Sequence, residues 1–411
     1  MPTFAYTFRD AAGTVRSGTS EAESAETLRR RLQEQGFTVT EVRQVRAQRP
    51  GGGWGRVKLS DLAIFCRQFS TMQDAGVSIV RSLDVLGQQT QSPKLRRIIM
   101  DIQAEVEAGQ TLSKAMSKYP NVFSNLFIGL IRAGEVGGVL EESLQRLAAF
   151  LEADVALRRK VRAAMTYPTI VVIAALAIVI GLVTFILPKF FDVFKDLGIK
   201  DFPVMTQMLM DFSNFLTSRW YVMIAIVVLV VIAFRMFVRT RIGRRLYDRL
   251  KLKLPVFGPL NHKIALARFS RTLSTLLSSG VPILQALETV AGTVANEIIA
   301  EAVMEARARI REGDRIGPPL EKSGMFPPMV VHMISIGEES GALDQMLSKV
   351  ADFYESEVES TLQSLTSAIE PVLIVLLGGM VGFIVISLLL PLITAVQSLA
   401  GGQQEGGGGG G

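Results

Sequence analysis

The chain has 411 residues, 49% hydrophobic and 20% charged, with 44 Lys+Arg against 38 Asp+Glu for a formal net charge of +6 and a mean hydropathy of +0.33. This composition is neither disordered nor fibrous, and it leaves room for two soluble domains besides membrane spans. The basic residues cluster beside apolar stretches rather than along an aromatic-interleaved stripe, favouring lipid headgroups over nucleic acid, and one cysteine, Cys66, excludes an intramolecular disulfide and any Cys-based metal cluster.

The first residues, M-P-T-F-A-Y-T-F-R-D, lack a basic stretch followed by an apolar run, so no signal peptide is expected. Residues 1–43 read as a small α+β module of β-β-α-β order: Phe4, Tyr6 and Phe8 alternate, A-A-G turns, and a helix from Glu21 to Gln35 ends at Gly36 before F-T-V-T-E-V. Residues 44–57, with R-P-G-G-G-W-G, read as a flexible basic linker. From 58 to 165 the pattern is helical. Leu59, Leu62, Cys66, Phe69 and Met72 recur at three- and four-residue spacing, with Ser60 as the expected N-cap and Gly76 as the stop. Further helices are expected at about 79–90, 93–108, 111–118, 124–134 and 139–165, making a six-helix bundle. Cys66 on that first helical face is expected to be an inert buried thiol.

Thr169 to Leu187 carry no charge, and at about 1.5 Å per residue they make a helix roughly 29 Å long, enough to cross a hydrocarbon core. Pro168 suits a first helical turn and Pro188 marks the exit of this span, 168–188. Arg158, Arg159, Lys160 and Arg162 crowd its start, which places the N-terminal region in the cytoplasm. A short periplasmic segment, 189–218, leads to a second span at 219–238, opened by Trp220 and followed by Arg239, Arg241, Arg244, Arg245 and Arg249. A second helical bundle at 239–369 precedes a third span at 370–396. The tail, 397–411, lacks Lys and Arg, reads as disordered, and falls on the periplasmic side.

Laying 62–188 on 266–391 reveals a duplication. F65-C-R-Q-F-S-T-M-Q-D-A-G-V-S-I matches F269-S-R-T-L-S-T-L-L-S-S-G-V-P-I, G134-E-V-G-G-V-L matches G337-E-E-S-G-A-L after a one-residue deletion, Y167-P matches E370-P, and Pro188 matches Pro391. The unit is a helical bundle plus its own span. The second span is the extra one, which returns the second bundle to the compartment of the first.

G-E-x-x-G occurs once per copy, as Gly134, Glu135 and Gly138 and as Gly337, Glu338 and Gly341. One reading is a helix-to-helix corner in which glycines turn left-handed and the Glu supports the next helix N-terminus; the other is a partner contact at the bundle tip. Tyr167, Pro168, Glu370 and Pro371 are expected as joints where each bundle meets the membrane. No G-x-x-x-x-G-K-[ST] occurs, His262 and His332 are the only histidines, and no catalytic constellation or metal-ligating set can be assembled. The sequence argues against an enzyme and calls for no cofactor. Charges in the spans lie at their margins, Arg235 and Glu370, which leaves a small-solute transporter or channel, the alternative class, without mid-membrane polar residues. Gly378, Gly379 and Gly382 line one side of the third span and allow close helix contact.

The doubled F-x-R…A/S-G-V-x-I…G-E-x-x-G…x-P-span-P pattern, with K160-V-R-A-A-M-T-Y-P-T…F-I-L-P188, resembles the inner-membrane platform protein family shared by type IV pilus assembly and type II secretion. The resemblance covers roughly 58–396 and the N-terminal module. It implies a mainly α integral membrane protein of the bacterial inner membrane, with three transmembrane helices, two repeated six-helix cytoplasmic bundles and a small N-terminal α+β module. It further implies a homo-oligomer that contacts a cytoplasmic hexameric ATPase, pilin or pseudopilin subunits and other inner-membrane assembly proteins. Two departures stand out: Tyr167 is replaced by Glu370 in the second copy, and the Gly-rich tail is not an interpretable feature of the family.

Overall fold

The structure, a computed structural model, describes residues 3–9, 15–21, 26, 29–30, 38–45, 56–196, 202–255 and 257–402. It divides into two units, 1–56 and 57–411. In the first, strands β1 (Thr3–Arg9), β2 (Val15–Glu21) and β3 (Thr38–Val45) form an antiparallel sheet ordered β2-β1-β3. Tyr6 lies opposite Gly18 on one neighbour and Val42 on the other, and the β1–β3 register shifts between Thr7 and Phe8. Most of the expected helix at 21–35 and of the linker lies outside the described residues.

The second unit is helical among its described residues. Its first copy comprises α1 (Leu59–Asp74), α2 (Ile79–Gln89), α3 (Pro93–Glu107), α4 (Leu112–Ser117), α5 (Asn125–Gly137) and α6 (Leu140–Gly181). A π-helical turn, Leu182–Ile186, passes into α7 (Leu187–Asp196). Next come α8 (Val204–Ser218), α9 (Trp220–Arg239) and α10 (Arg241–Lys253). The second copy then repeats the first as α11 (Phe257–Ser278), α12 (Ile283–Thr293), α13 (Glu297–Arg311), α14 (Gly317–Lys322), α15 (Pro328–Ser340) and α16 (Leu343–Gly402). Ser92, Thr111 and Ser124 cap α3, α4 and α5 with their hydroxyls. Ser60 does not cap α1. The helix starts after Lys58, and the Ser60 hydroxyl bonds Asp61 instead, whereas Gly76 takes φ +74° beyond the far end.

Both copies contribute to one hydrophobic core. Phe65, Phe69, Leu83, Ile99 and Leu144 from the first join Phe269, Leu273, Leu287, Ile299 and Leu347 from the second. Cys66 is fully buried within it, and burial pushes its thiol well above the usual range, which keeps it protonated.

The long helices correct the expectation of a fresh helix start at each span. α6 passes through Pro168, the π turn and α7 continue through Pro188, and α16 passes through Pro371 and Pro391 without ending. A proline removes one N–H and crowds the preceding turn. The bundle helix before Pro168 and Pro371 and the long apolar run after each still favour helix, because lipid offers the backbone of the span no other partner. Residues 397–402, expected in the disordered tail, are helical for the same continuity, and 403–411 lie outside the described residues. Three helices are long and apolar enough to cross a membrane; their most apolar windows are only 11%, 0% and 11% buried within the chain, so apolar side chains face outward as lipid requires.

Phe65 and Phe269 occupy equivalent places and are 1% and 0% exposed. Replacing either with Ala should destabilise the unit by about 3–5 kcal/mol, read as a lowered denaturation midpoint in detergent; a loss below about 1 kcal/mol would remove that ring from the core.

Candidate coupling site

Each G-E-x-x-G motif closes a corner between the fifth and sixth helices of its copy. Gly138 and Gly341 have φ +67° and +70°, left-handed values that end α5 and α15 without the strain a Cβ would add. Gly134 and Gly337 serve a second purpose. A Cβ on Gly134 would lie 3.0 Å from the Leu140 Cα and 2.5 Å from the Ser143 Oγ, and one on Gly337 would lie 2.8 Å from the Leu343 Cα, so the next helix crosses against bare backbone in both copies.

The glutamate between them works backwards along the chain. Its carboxylate accepts from the Leu112 and Ser113 N–H groups at the start of α4, while Thr111 Oγ1 accepts from Lys114 N. Glu338 accepts from Ile316 N at 3.0 Å, at the start of α14. The supported helix is therefore the preceding short one rather than the next: the first N–H groups of α4 and α14, like those of any helix, have no partner within the helix, and the carboxylates supply one. Beyond the half-buried carboxylates, Val136 is 86% exposed and Ile336 53%.

A further pair of equivalent residues holds each copy together. The arginine of each F-x-R bridges to the sixth helix of its own copy: Arg67 donates through Nε and Nη2 to Glu152 at 2.8 and 2.6 Å. Arg271 donates to Glu355 at 3.0 Å and to Asp352 at 2.6 Å. The repeat itself was the available signal, since the two arginines align and an acid follows at matching distance. The bonded guanidinium holds the Glu152 carboxyl below its ordinary range. Between the copies, Arg268 reaches Asp154 at 3.3 Å and Lys160 reaches Glu359 at 2.6 Å. Below these contacts α6 and α16 meet through Leu157, Val358, Leu362 and Leu365, with Leu260 of α11.

Pro168 is buried, Pro371 exposed, and both Tyr167 and Glu370 point outward. Thus the four expected joint residues sit at two places along uninterrupted helices and do not converge. The two exit prolines share a stabilising partner. Pro391 cannot bond the Ser387 carbonyl one turn back, and Thr206 Oγ1 donates to that carbonyl at 2.7 Å. In the π turn the group left free lies five residues before Pro188. It is the Val183 carbonyl, and Ser213 Oγ donates to it at 2.8 Å. Both hydroxyls lie on α8 and are buried. They are about 10 Å apart along its axis, close to the spacing of two packed helices, so α8 bridges the first and third spans. Leu209 and Leu216 complete the contact beside Val183, Leu187, Phe194 and Ile384.

His262 bonds the Met325 carbonyl at 2.7 Å and His332 is exposed. No cluster of three or more His, Cys, Asp or Glu able to hold a metal ion occurs among the described residues. A Cβ added to Gly378, Gly379 or Gly382 would meet no atom within 4 Å, so that stripe makes no close contact within the described chain.

Thr206→Val and Ser213→Ala should each cost about 1 kcal/mol in a lipid-like environment, seen as lowered thermal stability in nanodiscs; no change would mean that the freed carbonyls need no partner. Glu152, with its pKa depressed in the folded state, adds stability that is present above the usual glutamate value. It is lost as pH falls through the lower folded value. The pair is nearly half exposed, 42% and 46%, so the effect is at most about 1 kcal/mol. Acid titration of stability should lose this increment below about pH 4 in the parent and not in Glu152→Gln.

The family described as type II secretion system protein F matches residues 65–188 and 269–391, and its N-terminal domain matches residues 1–43. The two core matches start at the aligned phenylalanines and end at the aligned exit prolines. The type IV pilus assembly protein PilC of Thermus thermophilus is 44% identical over 97% of this chain and 100% of its own length. That of Myxococcus xanthus is 40% identical over 97% and 95%, and the type II secretion system protein F of Vibrio cholerae is 34% identical over 96% and 98%. A duplicated core ending at paired prolines, three apolar helices and full-length similarity to both sets of proteins lead to one conclusion: the chain belongs to the type II secretion system protein F family, the platform proteins of type IV pilus assembly and type II secretion.

Proposed function

We propose that this protein is the inner-membrane platform of a type IV pilus or type II secretion machine, passing movement from a cytoplasmic hexameric ATPase to pilin or pseudopilin subunits that enter or leave the bilayer. The observation that carries the reading is the unbroken helix from each bundle into its span, α6 and α16. A displaced bundle would move its span with it, since a helix transmits bending and torsion through its continuous hydrogen-bonded ladder. The chain has no phosphate-binding loop of its own, in keeping with a separate motor. It is read as a coupler rather than an enzyme.

In this reading both bundles and the N-terminal α+β module, residues 1–43, are cytoplasmic and the C-terminus is periplasmic, in accord with the basic residues flanking the first two spans. The division into module, linker, two bundles, three spans and tail follows the boundaries drawn from the sequence, with the span borders falling inside longer helices. The G-E-x-x-G corners are the proposed partner contacts. Gly134, Glu135 and Gly138, with Gly337, Glu338 and Gly341, set the shape, and the exposed Val136 and Ile336 supply apolar contact area. The open glycine stripe of the third span suits helix contact in a homo-oligomer or with another membrane protein.

Deleting the gene should abolish surface fibres or secretion, while the purified protein hydrolyses no ATP; intact fibres in the deletion strain would sink the proposal. Replacing Pro168 and Pro371 together by Ala should leave membrane insertion and helicity intact but change assembly activity. Wild-type activity would reduce both residues to tolerated features of a straight helix.

A further inference from the structure

We propose that α10 lies in the plane of the membrane surface, binds anionic phospholipid headgroups and ties the second bundle to that surface. The proposal rests on α9 crossing the membrane and is independent of the machine that the protein serves.

Three observations place the helix. Ile242, Leu246 and Leu250 recur at four-residue spacing on one face and are 80%, 56% and 56% exposed. Arg249 and Lys253, both exposed, run along one flank of that stripe. An apolar stripe edged by Arg and Lys is the pattern of an interfacial helix, whose aliphatic side sinks to the acyl boundary while its cations meet headgroups.

The opposite face is fixed to the second bundle, so the stripe cannot turn inward. Asp248 is 4% exposed and accepts from the Glu297 N–H at 3.0 Å, at the start of α13. Its backbone carbonyl accepts from Asn296 Nδ2 at 3.3 Å, and Arg244 and Arg245 pair with Glu297 and Glu301.

The third observation is position. Thr240 breaks the helix with ψ 150° and caps α10 by accepting from Gly243 N at 3.1 Å. The Tyr247 ring then stands 5.5 Å from the Phe234 ring of α9, edge to face. Had α10 continued the axis of α9, these residues would stand roughly 20 Å apart along it. The helix therefore folds across the end of the span and stays at headgroup level. An anionic leaflet attracts each cation there, which makes an anionic phospholipid the occupant that satisfies both the stripe and its flank.

The test uses the full chain with Cys66→Ser and a spin label at Leu246→Cys, in nanodiscs of phosphatidylcholine alone or mixed equally with phosphatidylglycerol. In the mixed discs the label should be several-fold more accessible to oxygen than to a water-soluble nickel reagent. Retention of phosphatidylglycerol through detergent exchange, read by native mass spectrometry, should fall about fivefold for each of Arg249→Gln and Lys253→Gln, with helicity unchanged by circular dichroism. A label open to water, unchanged lipid retention in both variants, or a Leu246→Cys crosslink between two copies in place of lipid contact would each overturn the proposal.

Discussion

Hydrocarbon offers no water to a backbone carbonyl, and the outer ends of the first and third spans depend on that constraint. Pro188 and Pro391 each deprive one carbonyl of its helical donor, and α8 supplies a hydroxyl to both, Ser213 to Val183 and Thr206 to Ser387. Because both donors belong to one short helix, satisfying them also fixes the separation of the two spans. The second span takes no comparable part. Its most apolar window is 0% buried, and it meets the bridge only through Met223, with no hydrogen bond to a freed carbonyl. The two helices that descend directly from the bundles are thus the two held together.

At the other end of those helices the constraint is close packing. Gly134 and Gly337 let α6 and α16 start against the backbone of α5 and α15, and Glu135 and Glu338 fasten a short helix to the same corner. The Arg67–Glu152 and Arg271–Glu355 bridges then tie the first helix of each copy to its last. The first of these pairs is nearly half exposed and contributes little stability, while the second is more buried. They fix rotation about a helix whose buried side is already set by Leu144, Leu147, Leu347 and Val350. Each bundle is therefore rigid from its corner to the helix that leaves it, the mechanical condition that the proposed coupling needs.

Much of this architecture is legible in the sequence because apolar spacing, left-handed glycines and a duplicated pattern are local signals. The stretches 79–90, 93–108, 111–118 and 124–134 carry helices within a few residues of where periodicity puts them. What escapes is what depends on partners distant in sequence. Pro168 and Pro371 read as helix starts because the rule for proline describes a helix without neighbours, whereas here a packed bundle helix precedes each proline and an apolar span continues it. The target of Glu135 lies upstream, at Leu112 and Ser113, where only the packing of α4 against α5 brings it. Thr206 and Ser213 carry no motif at all. Their role appears only when the carbonyls released by Pro391 and Pro188 stand beside them.

The duplication is not a symmetry. Pro168 is buried where Pro371 is exposed, and Asp154 of the first copy takes Arg268 of the second as well as Arg158 on its own helix. Asp154 is only 15% exposed, and Arg268, itself largely buried, has its guanidinium pKa lowered by desolvation, so removing Asp154 would strand the Arg268 charge away from water, whereas Asp154 would keep Arg158 if Arg268 were removed. The α10 helix, anchored by Asp248, adds to the second copy an attachment that precedes its bundle, whereas the first copy reaches its span only by leaving through α6. Two bundles of one ancestry thus differ in the elements that join them to their spans, while the single core they share ties any displacement of one to the other.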